Sequence, residues 1–68
     1  MTEEQEREIR SELARLRQEH RDLDAAIAAL DVSGRGDRLT IQRLKKKKLL
    51  IKDQVQRLED QLVPDIIA

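Results

Sequence analysis

The chain has 68 residues, no cysteine and no aromatic side chain of the Phe, Tyr or Trp type; 41% of it is charged, yet its formal net charge is zero. That length allows one small domain. Missing cysteines exclude disulfides, thiolate metal sites and cysteine nucleophiles, and missing aromatics force an aliphatic core and remove stacking on nucleic-acid bases.

The N-terminus is acidic where a secretory leader is basic. No run approaches the ~20 apolar residues of a membrane span. A soluble cytoplasmic protein is therefore expected.

Thr2 followed by Gln5 forms a capping-box pattern, with Glu3 and Glu4 in the favourable first turn. It opens a helix predicted over residues 3–31, supported by Ala14, Ala25, Ala26, Ala28 and Ala29. Residues 32–37 hold both glycines and form the predicted turn. Asp37 is placed to N-cap a second helix over 38–62. Pro64 stops that helix, leaving residues 63–68 as a tail.

Each helix carries an apolar stripe at alternating steps of three and four. The first is Ile9, Leu13, Leu16, His20, Leu23, Ile27, Leu30; the second is Ile41, Leu44, Lys48, Ile51, Val55, Leu58, Leu62. This is the rhythm of helices packed along a seam. Folding at residues 33–36 pairs the stripes as mirror images, Leu30 with Ile41 and onward to Ile9 with Leu62. A single continuous helix is disfavoured, because two glycines within three residues cost roughly 2 kcal/mol. The fold class is all-α, a two-helix antiparallel coiled-coil hairpin forming one domain.

Charge supports the pairing. Residues 1–31 hold nine acids and five arginines; residues 32–63 hold nine bases and four acids. Beside the seam, helices at equal height would bring together Asp31–Arg38, Asp24–Lys45, Arg17–Lys52 and Arg10–Glu59. Only Arg17–Lys52 is a misfit in sign. So small a seam leaves little apolar burial per residue, and Leu49, Leu50 and the alanines lie off it. Self-association into a four-helix arrangement is expected.

Two seam positions are polar. His20, opposite Ile51, is the only histidine. A lone histidine is a candidate base or ligand, but a metal site here would rest on carboxylates such as Asp24 and Glu19. A polar core residue that fixes register is the simpler reading. Lys48, opposite Leu23, can lay its methylenes along the core and lift its ammonium to the edge. Asp24 lies beside both, so His20, Asp24 and Lys48 form a candidate polar seam cluster.

Lys45 to Lys48 form a basic run. On a helix its members point in different directions, leaving Lys46 and Lys47, with Arg43, for an outside partner. The glycine-rich Ser33–Gly36 segment lacks the preceding strand and the following Gly-Lys-Ser/Thr of a phosphate loop. Ser11 and Ser33 have no paired base. No catalytic, cofactor or metal site is assigned, and the chain is read as a non-enzyme.

Two segments are more specific than composition. Residues 19–27 read EHRDLDAAI and residues 43–55 read RLKKKKLLIKDQV. In this order across a short turn they resemble the YdcH-like family of small bacterial helical proteins, a domain of unknown function. The matching positions are His20, Leu23, Asp24, Ile27, Leu44, Lys45, Lys46, Lys48, Leu49, Lys52, Asp53 and Val55. A SlyX-type coiled coil lacks this lysine signature. The resemblance covers roughly residues 9–58. It implies a small antiparallel helical hairpin of bacterial origin and carries no activity with it.

The expected function is a protein-protein interaction or scaffold module that presents helix faces. Leu49 and Leu50, with the alanine surface, are its candidate contacts. The expected partner is a second copy or another helical protein. The alternative is nucleic-acid or anionic-surface binding through Arg43, Lys46 and Lys47, with Arg35 and Arg38 at the turn.

Overall fold

A computed structural model describes residues 2–62. Within them lie two α-helices, α1 (Glu3–Ser33) and α2 (Arg38–Leu62), packed against each other as an antiparallel hairpin. The start of α1 is the capping box read from sequence. The Gln5 N–H donates to Thr2 Oγ1 at 3.1 Å, and the Thr2 N–H donates to Gln5 Oε1 at 2.9 Å. Two of the four orphan N–H groups at a helix start are thereby satisfied.

The far end of α1 corrects the expected boundary by two residues, since Val32 and Ser33 are helical. The Ser33 hydroxyl ties the helix end to the turn. It donates to the Leu30 carbonyl at 3.2 Å and accepts from the Arg35 N–H at 3.2 Å. The helix ends at Gly34, whose φ of 70° places it in the left-handed region and whose N–H donates to the Leu30 carbonyl at 3.1 Å.

Gly36 has a different task. A Cβ there would sit 2.7 Å from Leu30 Cβ and about 3.1–3.2 Å from the Ile41 side chain. The turn crosses directly over the first seam pair, and only a residue without a side chain fits.

Asp37 then caps α2. Its Oδ1 accepts from the Thr40 N–H at 2.8 Å, and its Oδ2 accepts from the Thr40 hydroxyl at 3.1 Å. These bonds hold the Asp37 carboxyl below the usual range. The expected stop at Pro64 and the tail lie outside the described residues.

Every stripe residue is at least partly shielded from water. Leu13, Leu16, Ile27 and Ile51 are the buried core, each 3–7% exposed. The seam is real and thin, as two lone helices dictate.

Candidate functional site

The seam pairing brings Asp24 and Lys48 together across the hairpin. Lys48 Nζ donates to Asp24 Oδ1 at 2.7 Å. The Lys48 side chain is 30% exposed and that of Asp24 57%. The lysine stem therefore lies against the core while the ammonium emerges at the edge, as anticipated. The hydrogen bond from Lys48, then its charge, holds the Asp24 carboxyl below the usual range; the charge of His20 adds to this, and desolvation opposes it.

This pair corrects the equal-height arithmetic, which set Asp24 against Lys45. A second correction has the same cause. Glu59 is ion-paired with Arg17, not Arg10, and Arg10 turns to Glu6 at 3.8 Å. Every Cα–Cβ bond in a helix tilts toward that helix's own N-terminus. In an antiparallel pair, α1 side chains lean toward the chain termini and α2 side chains lean toward the turn. Residues whose numbers sum to 69, such as Asp24 and Lys45, lean apart. Those with larger sums, Asp24–Lys48 and Arg17–Glu59, lean together. The same tilt gives Arg17, the misfit of the sequence arithmetic, an acidic partner.

His20 does not complete a hydrogen-bonded triad. Its Nε2 is buried and has no hydrogen-bond partner. Glu19, the other carboxylate considered for it, turns to Arg15 instead. Among the described residues no three His, Asp or Glu side chains converge on a metal position.

The ring of His20 borders a shallow groove of about 410 Å³ with Arg17, Arg21, Lys52 and Val55. Sequence reasoning did not bring Arg21 and Lys52 to one place. The like-signed Arg17–Lys52 apposition was the signal that could have done so.

The outer side of α2 is the other feature. Leu49 is 63% exposed and Leu50 58%, and Leu39, which the sequence reading passed over, is 56% exposed. Leu39 lies off the stripe, eleven residues or about three turns before Leu50, and so falls near the same line on the helix. Arg43, Lys46 and Lys47 are exposed around these leucines. Ala25, Ala28 and Ala29 are exposed on α1, as expected, with Val32 beyond them. Neither helix is long and apolar enough to cross a membrane.

No curated protein and no solved structure matches the chain. A family model does, over residues 13–59, which is most of the chain and contains both seam exceptions and the lysine run. The chain belongs to the family described as protein of unknown function DUF465, in line with the YdcH-like resemblance.

Proposed function

We propose that the hairpin is a non-enzymatic interaction module whose working surface is the outer face of α2. One observation carries this reading. The exposed leucines of the described chain, Leu39, Leu49 and Leu50, all stand on α2 away from the seam, on a molecule whose own core is small. Apolar side chains grouped this way favour another helical surface, from a second copy or a different helical protein. The Asp24–Lys48 pair serves the hairpin internally, since its hydrogen bond runs between the two helices.

The test is capture by the immobilised chain, compared with a Leu49→Glu/Leu50→Glu variant that stays helical. Partners retained by the wild type and lost by the variant support the reading. Equal retention by both removes it.

A second reading is favoured by the axial arrangement of charge. Residues 20–52, the half nearer the turn, hold nine bases and four acids. Arg35, Arg38, Arg43, Lys46 and Lys47 all lie there and are exposed, an arrangement suited to nucleic acid or another anionic surface. Retardation of generic DNA or RNA that falls steeply with salt supports it. No retardation at low salt rejects it.

A further inference from the structure

The outer face of α2 repeats at seven-residue steps. Leu39, Lys46, Asp53 and Asp60 fall on one line, with Gln42–Arg43, Leu49–Leu50 and Gln56–Arg57 between them. All of these residues are exposed. Apart from Leu39, which meets the partner's Asp60, the pattern complements itself when reversed. About a two-fold axis placed between the tips of the Leu49 and Leu50 side chains, which lean toward the N-terminus of their own helix, an antiparallel copy sets Leu49 against the partner's Leu50. Lys46 then meets the partner's Asp53, Gln42 meets the partner's Arg57, and Arg43 meets the partner's Gln56. No like charges are opposed, and the two Lys46–Asp53 pairs flank four leucines.

The axis also falls near the middle of the hairpin. Leu49 and Leu50 lie close to the midpoint of α2, which spans Arg38–Leu62. An antiparallel copy centred there overlaps along the whole length. This matters because the molecule is charged unevenly along its axis. Residues 20–52 carry a balance of +5, while residues 3–19 and 53–62 together hold five bases and nine acids, a balance of −4. Full antiparallel overlap lays the positive half of each copy along the negative half of the other. A parallel copy, or one overlapping only at the turns, sets positive against positive.

We infer that the partner of this face is a second copy of the chain, docked α2 on α2 in antiparallel register about Leu49 and Leu50. The inference rests on the reading of this face as a docking surface, and it specifies both occupant and register. An isologous contact of this kind closes on itself as a dimer.

Sedimentation equilibrium of the full chain over a micromolar concentration range tests it, with circular dichroism to follow helicity. The wild type is expected at twice the 7.9 kDa chain mass. Leu49→Glu/Leu50→Glu is expected at the single-chain mass with helicity retained, because both side chains lie outside the core.

Charge tests the register. Lys46→Asp alone and Asp53→Lys alone each place two like-charge pairs at the interface and should weaken association roughly tenfold or more. The double swap Lys46→Asp/Asp53→Lys should restore it. A dimer whose single swaps weaken it without rescue overturns the register. A wild type that stays monomeric overturns the second-copy assignment, and the docking-surface reading then depends on the capture experiment alone. A dimer indifferent to Leu49→Glu/Leu50→Glu overturns this inference while leaving that capture result to be judged on its own.

Discussion

Replacing Lys48 by leucine should stabilise the hairpin, and the size of the effect follows from where the side chain lies. Lys48 holds a seam position but leaves 30% of its side chain in water, with its ammonium on a carboxylate that is itself largely solvated. An ion pair so exposed contributes little. A leucine at the same position would bury on the order of 100 Å² of apolar surface, about 2.5 kcal/mol. The lysine methylenes already bury part of that area, so the net gain is about 1 kcal/mol. For a domain of this size that raises Tm by roughly 4–8 °C.

The assay is thermal unfolding followed by circular dichroism at matched chain concentrations, since any association makes Tm concentration-dependent. Lys48→Met serves as the control. It keeps the unbranched stem and removes the charge, so it should fall between wild type and Lys48→Leu. A Tm unchanged or lowered in Lys48→Leu would refute the account of a stem lying along the core. It would mean that the Asp24 contact outweighs the packing.

His20→Leu should likewise raise Tm, because it replaces a buried nitrogen that has no partner; a lower Tm would show that the nitrogen is satisfied in solution. Gly36→Ala should destabilise by about 1–3 kcal/mol in urea unfolding, since the obstructing atom is the Leu30 Cβ, fixed to the helix backbone. Gly34→Ala meets no atom within 4 Å and should cost only the left-handed strain of about 1–2 kcal/mol, part of which Gly34→Asn recovers; equal behaviour of alanine and asparagine would count against this. The Asp24 and Asp37 carboxyls lie below their ordinary values, so their stabilisation is complete above the usual carboxylate range and is lost as pH falls through the lowered values. Tm should therefore hold from neutral pH and drop below about pH 4, with a smaller drop in Asp24→Asn.

The stripes were legible from sequence because burial along a two-helix seam follows the heptad period and little else. All fourteen positions, the polar His20 and Lys48 included, are shielded as the periodicity requires. The capping box at Thr2 and the cap at Asp37 were legible because each depends on a side chain reaching only three residues along the chain. The edge pairs were not. Counting residues places Cα atoms at equal height, but charged groups sit several bonds away along a tilted direction, which moved Asp24 from Lys45 to Lys48 and Glu59 from Arg10 to Arg17. The role of Gly36 was hidden as well. Sequence marks a glycine as free to turn, whereas its need here is for space between Leu30 and Ile41. Leu39 escaped notice because a single leucine outside a stripe carries no periodic signal until its exposure is seen.

The corner at Leu30, Gly36 and Ile41 has a consequence for topology. Every seam contact of the hairpin would be reproduced if two opened chains exchanged their second helices, since α1 cannot distinguish its own α2 from another chain's. The bend at Gly34 and Gly36 lets one chain make those contacts within itself. A chain with alanine at both Gly34 and Gly36 loses that bend, and its two helices can run on as one. The expected product is a domain-swapped dimer about twice as long, holding the same Lys48–Asp24 contact between chains instead of within one.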